Sequence, residues 1–174
     1  AYLGNLNAQD EETKAQLLEG NWKVVTSNND IYDYYDFRSI FTNSHAQGGN
    51  RYITADIALE GSDKMIFIAW DGFIAIDIEV IPKADGKQAI ELLNKFKVKH
   101  RVMENFITYD DDGIGSFIGG FYRNSIQFNN GRKPHGNENY NNLKSQCFYN
   151  SGYNVSQGKY YILPEVANKM YDKK

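Results

Sequence analysis

Between residues 51 and 81 apolar side chains fall into three short dense runs, separated by residues with turn chemistry. The stretch "RYITADIALEG" carries Tyr52, Ile53, Ala55 and Ile57 on both faces of an extended segment. "KMIFIAW" and "FIAIDIEVI" follow, joined by Asp71-Gly72, a dipeptide suited to a tight hairpin because glycine accepts positive φ. Such near-continuous apolarity predicts three strands covered on both faces, as in an α/β sheet. In the third, Ile74, Ile76, Ile78 and Val80 share one face, with Asp77 and Glu79 on the other.

The period then lengthens. In "ADGKQAIELLNKFKVKH", Ala89, Leu92, Leu93 and Phe96 recur at helical spacing, which predicts an amphipathic helix. "NFITYD" reads as a strand, "GIGSFIGGFY" as a glycine-rich turn into a helix, and "SIQF" as a parallel-type strand. "ENYNNLKSQCFYNSGY" predicts a helix and "KYYILP" a last strand before a short tail. Upstream, residues 6–22 predict a helix stopped near Gly20, and residues 29–50 an aromatic loop or arm packed over the domain. The order strand, strand, strand, helix, strand, helix, strand, helix implies an α/β fold whose mixed sheet begins with a hairpin.

The 174 residues suit a single core, and composition is globular at 41% hydrophobic and 24% charged. No apolar run approaches the roughly 18 residues needed to span a bilayer. The start "AYLGN" lacks an initiator Met, which suggests a processed chain or an excised domain. A formal net charge of −3 provides no global pull on nucleic acid, although an acidic metal site binds phosphate through its metal. The single Cys147 cannot form an internal disulfide and is expected to be a buried small apolar position.

The candidate chemistry is carboxylate. Asp56 stands within an apolar strand, where a half-buried charge is costly unless paired or bound to metal. Asp110 ends "NFITYD", so neighbouring strands would set the two acids side by side, an arrangement that favours a bridging divalent cation. Oxygen-only ligands select Mg²⁺ or Mn²⁺ over zinc. Asp110, Asp111 and Asp112 are consecutive, whereas a calcium loop alternates its acids. Gly113, Gly115 and Gly119 are spaced one residue too far for a dinucleotide fingerprint, and no phosphate-binding P-loop occurs. A solvated acidic turn remains open for Asp111 and Asp112.

Taken in order, "YITADIALEGSDKMIFIAWDG", "ITYDDDGIGSFI", "FNNGRKPHGNENYNNLKSQCFY" and "GKYYILPEV" resemble the nuclease domain of phage large terminase subunits. The preceding "AYLGNLNAQDEETKAQLLEGNW" is similar to the segment joining their ATPase and nuclease domains. The likeness rests on D-x-A-x-x-G-x-D from Asp56 to Asp63, followed by Y-D-x-x-G-x-G from Tyr109 to Gly115.

The resemblance implies a ribonuclease H-like mixed sheet flanked by helices, with residues 1–48 as a junction arm and 49–174 as a nuclease domain ending before its last helix. It implies Asp56 and Asp110 as catalytic metal ligands, with Asp63, Asp111 and Asp112 as further candidates. Two Mg²⁺ or Mn²⁺ ions, roughly 3.5–4 Å apart, would grip the scissile phosphate. Arg123, Arg132, Lys133 and Lys144 are candidate contacts to the DNA backbone. The implied activity is cutting of concatemeric double-stranded DNA during genome packaging in the host bacterial cytoplasm. Its implied partners are an ATPase domain, portal and small terminase subunit, with no membrane.

The family's third acidic ligand, from a C-terminal D-x-x-D-A helix, has no counterpart before the end at "ANKMYDKK"; only Glu165 and Asp172 follow the last strand. A non-catalytic ribonuclease H-like module that binds nucleic acid or a partner is therefore the alternative.

Overall fold

The computed structural model describes residues 31–58, 64–82, 84–110 and 115–171, with the backbone alone at 115–117. The helix expected over residues 6–22 lies outside them. The aromatic arm is not wholly irregular, since Tyr34–Ser39 forms a helix, α1. Asp33 starts it, its carboxylate accepting the Tyr35 N–H at 2.6 Å and satisfying one of the first-turn donors.

The three apolar runs become β1 (Arg51–Asp56), β2 (Met65–Asp71) and β3 (Ile74–Ile81), an antiparallel meander. Asp71-Gly72 makes the predicted hairpin, with Gly72 at φ +58°. A Cβ at Gly72 would meet the Gln47 carbonyl oxygen at 2.7 Å, so glycine also lets the arm cross the turn. Helix α2 (Gly86–His100) then carries the chain across the sheet to β4 (Ile107–Asp110), which pairs parallel with β1. Asp85 and Gln88 form a reciprocal capping box at the start of α2, and Arg101 closes its end in the left-handed region. Helix α3 (Gly115–Phe121) crosses to β5 (Ile126–Phe128), parallel to β4. Helix α4 (Leu143–Ser156) precedes β6 (Tyr161–Ile162), parallel to β3. The six strands lie in the order β5-β4-β1-β2-β3-β6, a mixed sheet flanked by helices.

Helix α4 begins at Leu143 rather than in the preceding asparagine-rich stretch, where Asn142 supplies the cap through Ser145 N–H at 2.8 Å. The tail expected after the last strand folds as α5 (Pro164–Tyr171). Its Val166 packs on Ala75, Ile78 and Val80 of β3. The arm is stitched to β6: Ile162 N–H donates to the Ile40 carbonyl at 2.8 Å, and Asn43 Nδ2 to that of Tyr160 at 3.2 Å.

The main core lies between the sheet and α2 with α3, where Ile53, Ala55, Met65, Phe67, Leu93, Phe96, Ile107 and Ile118 are buried. Burying each such large side chain contributes roughly 1.5–3 kcal/mol. The other face is less completely covered than the apolar runs predict. In β1 only Ile53 and Ala55 are buried, while Tyr52, Thr54 and Asp56 are exposed.

The strict alternation expected of β3 also breaks. Trp70 pairs with Ala75 and Ala69 with Asp77, so Ile76 is the extra residue of a β-bulge. Ile76 therefore packs with the main core, whereas Ile78 and Val80 join the α5 cluster. The bulge leaves Asp77 buried, where the pattern alone gave no reason to single it out. Lys99 and Lys169 donate to its two oxygens at 2.5 Å each, and His100 Nε2 donates to Oδ2 at 2.9 Å. Burial opposes the Asp77 charge, but the bonds from Lys169, Lys99 and His100 outweigh it and hold the carboxyl well below the usual carboxylate range. Burial also pushes the His100 imidazole below its ordinary value, against the attraction of Asp77.

A carboxylate held below its unfolded pKa stabilises the fold above that value, and the contribution disappears as pH falls through the folded pKa. Asp77→Asn should therefore cost about 2–3 kcal/mol in urea unfolding near neutral pH, because two lysines lose their shared acceptor. The gap between variant and parent should hold above pH 3.8 and shrink below it.

Candidate metal centre

The parallel pairing of β1 with β4 matches Ile53 to Ile107, Thr54 to Thr108 and Ala55 to Tyr109. The next step of that register sets Asp56 beside Asp110, both at the C-terminal ends of their strands. Adjacent strands are about 4.8 Å apart, so equivalent side chains on one face are immediate neighbours. The alternation that buries Ala55 and Tyr109 on the α2 side turns Thr54, Asp56, Thr108 and Asp110 to the other.

Asp56 and Asp110 line one cavity of about 490 Å³, walled by Ile66 and Ile68 of β2 and Phe128 of β5. The predicted pair is thus brought together, although Asp56 is exposed rather than half-buried. The reason is the incomplete cover over the outer face of β1. Exposure removes the desolvation cost that singled out Asp56 in the sequence, and the geometric pairing replaces it as the argument.

The donor set fits a hard divalent cation: two carboxylates at one sheet end, beside an open cavity, with oxygen ligands alone. Among the described residues no group of three acidic, histidine or cysteine side chains converges. Asp63, Asp111, Asp112 and Asp172 lie outside the described residues. Glu165 is exposed in the first turn of α5. That helix stands on the same face as the acid pair, since its cluster includes Ile66 and Ile68.

The basic candidates separate into two places. Arg123 and Arg132 line a second cavity, of about 310 Å³, with Gly119, Tyr122 and Gln127. Gln127 pairs with Tyr109, so this cavity opens at the β5 edge toward the α3 side rather than beside the acids. Lys133 and Lys144 are exposed. The loop after Phe128 is tied to the start of α4, with Leu143 N–H donating to the Arg132 carbonyl at 2.7 Å and Lys144 N–H to that of Asn130 at 3.3 Å. Lys144 Nζ lies 5.9 Å from the Phe148 ring centre.

Two site residues escaped the sequence reading, Thr54 and Thr108, which pair across the strands and border the acid cavity. A signal was present: both strands end in Thr-x-Asp, the period-two spacing that keeps threonine and aspartate on one face. Cys147 departs from expectation, because it is exposed on α4 rather than buried. Its neighbours still desolvate it enough to raise its pKa.

No protein-family model and no curated protein sequence matches the chain. Solved structures do. The nuclease domain of the large terminase subunit gp2 of bacterial virus Sf6 superposes with a TM-score of 0.63 at 12% identity, over 78% of this chain and 74% of that one. A variant of that domain with manganese and β-thujaplicinol gives 0.63 at 11% identity, over 78% and 74%. The large terminase nuclease from thermophilic phage G20c with bound magnesium gives 0.55 at 13% identity, over 79% and 76%. The chain has the ribonuclease H-like fold of phage large-terminase nuclease domains.

The exposure of Cys147 predicts that Ellman's reagent titrates one thiol in the folded protein without denaturant. Because the thiol is raised, the labelling rate should still be climbing at pH 9.0, its ordinary value.

Proposed function

We propose that the chain is a metal-dependent DNA endonuclease domain of a phage large terminase subunit, cutting concatemeric double-stranded DNA during genome packaging. The observation that carries this reading is the parallel register that sets Asp56 beside Asp110 in one cavity, on a fold shared with terminase nucleases. Related folds holding manganese and magnesium support the choice of Mg²⁺ or Mn²⁺.

Asp56 and Asp110 would hold the metal, and Asp63, Asp111 and Asp112 are the proposed source of further oxygen ligands. Two bound ions would supply Lewis-acid polarisation of the scissile phosphate and an activated water. The chain's own residues perform the remaining work. The paired carboxylates, through the metal they would hold, fix where the phosphate sits, and Ile66, Ile68 and Phe128 bound the cavity around it. Lys144 and Lys133, near the loop that follows β5, would take neighbouring backbone phosphates. Arg123 and Arg132 would meet the duplex farther along, over the β5 edge. These contacts orient DNA without reading its sequence. Residues 1–48 would form the junction arm and 49–174 the nuclease domain. An ATPase domain, the portal and the small subunit are the proposed partners, with action in the host cytoplasm. Among the described residues no helix is long and apolar enough to cross a membrane.

Asp56→Asn and Asp110→Asn should each abolish metal-dependent nicking of supercoiled plasmid, by at least about a hundredfold, with unchanged circular dichroism. Nicking that persists in both variants would falsify the assignment. Mn²⁺ titration followed by electron paramagnetic resonance should show uptake that either substitution weakens, a readout independent of cleavage. DNA binding without metal uptake would favour the non-catalytic module. The parent domain should take up metal weakly and cut poorly until Mn²⁺ is added. Strong cleavage in millimolar Mg²⁺ alone would show a ligand set already complete.

A further inference from the structure

The acid cavity does not end at the acids. Thr54 and Thr108, one same-face step along β1 and β4, line it and also line a second cavity of about 500 Å³ beneath α1 and α4. Same-face residues on a strand are roughly 7 Å apart, so this second space opens within about one nucleotide step of Asp56 and Asp110. Its walls are aromatic. On the arm side Tyr32 stacks on Phe37, with ring centres 5.6 Å apart and planes 16° from parallel. On the sheet side Tyr160 meets Trp70 and Phe73 edge-on, at 6.1 and 5.3 Å. Thr54 Oγ1 accepts from the Trp70 indole N–H at 3.0 Å, which fixes the ring at the passage between the two cavities.

Among the described residues none that lines this cavity carries a charge, although Lys159 Nζ lies 5.9 Å from the Phe73 ring centre, so the interior suits a neutral planar group rather than a phosphate. Tyr32, Phe37 and Phe73 keep about 40% of their surface exposed, so the aromatic walls are reached from outside. Aromatic platforms of this kind stack nucleobases without regard to sequence. A paired base inside a duplex cannot reach such a platform, because it must first leave its stack.

We propose that the aromatic cavity receives an unpaired nucleobase from the strand whose phosphate lies at Asp56 and Asp110. The preferred substrate is then DNA that is melted or single-stranded at the cut. The inference rests on the endonuclease reading for the placement of that phosphate. The continuity through Thr54 and Thr108 favours a nucleic-acid strand over an apolar protein segment as the occupant.

The test compares two oligonucleotides, a matched duplex and one with a central unpaired bubble carrying 2-aminopurine, with Ca²⁺ in place of Mg²⁺. The parent chain should bind the bubble about tenfold more tightly than the duplex and quench the probe. The double variant Phe37→Ala, Phe73→Ala should lose the preference and the quenching while keeping duplex affinity. Ser151→Phe, which fills the cavity from α4, should do the same. Equal affinity for the two DNAs, or a preference that survives both changes, overturns the inference. An apolar peptide that binds the parent but not these variants, while the two DNAs bind equally, identifies a protein segment and also overturns it. Plasmid nicking is read separately. Nicking that depends on Asp110 without any bubble preference removes this inference alone. Base capture without nicking removes the endonuclease reading instead.

Discussion

Everything proposed for this domain depends on one backbone constraint, the parallel register between β1 and β4. Two strands running in the same direction end together, and both end in aspartate. Antiparallel pairing would have sent the two carboxylates to opposite ends of the sheet. Parallel pairing requires a crossover, and α2 provides it, packed on the sheet through Ala89, Leu93 and Phe96. The last turn of α2 is clamped where the β3 bulge buries Asp77, which takes Lys99 and His100 from α2 and Lys169 from α5. One buried carboxylate thus links the crossover helix, the central sheet and the final helix.

The two faces of the sheet have different tasks. The α2 face is closed and apolar, and it supplies the stability. The opposite face is covered in patches: α5 stands over β3, while α1 and α4 stand over the far end of β1. The ground left between them is lined by the outward residues of β1 and β4, and there the acids and the aromatic space adjoin. Such a division leaves the acid pair reachable from the side, as the proposed polymer substrate requires. It also explains how Asp56 can be exposed while its neighbour Ala55 is buried.

Much of the architecture was legible along the chain because the local signals agreed with each other. Dense β-branched runs, Asp71-Gly72 and the helical spacing of Ala89 to Phe96 specify the meander and its crossover before any packing is known. Three features were misread for one reason: each depends on what covers a surface. The apolarity of the strands suggested cover on both faces, yet β1 is open on its outer side. Cys147 has the composition of a core residue but lies on the uncovered side of α4. The arm and the tail lack a clean period because α1 and α5 are short and take their stability from contacts with β6 and β3.

The chain alone specifies the order of β1 to β6 with α2, α3 and α4, and the two Thr-x-Asp strand ends, since turn chemistry and side-chain period are properties of neighbouring residues. Tertiary structure alone decided that those ends meet, because a parallel register is set by a crossover and not by the strands it joins. It also decided that Asp77 is an anchor: the bulge at Ile76 shifts the alternation and turns that carboxylate into the reach of two lysines and a histidine. The same holds for the arginines. Arg123 and Arg132 are nine residues apart along the chain but share a cavity at the sheet edge, away from the acids, because strand alternation turns Gln127 to the far face.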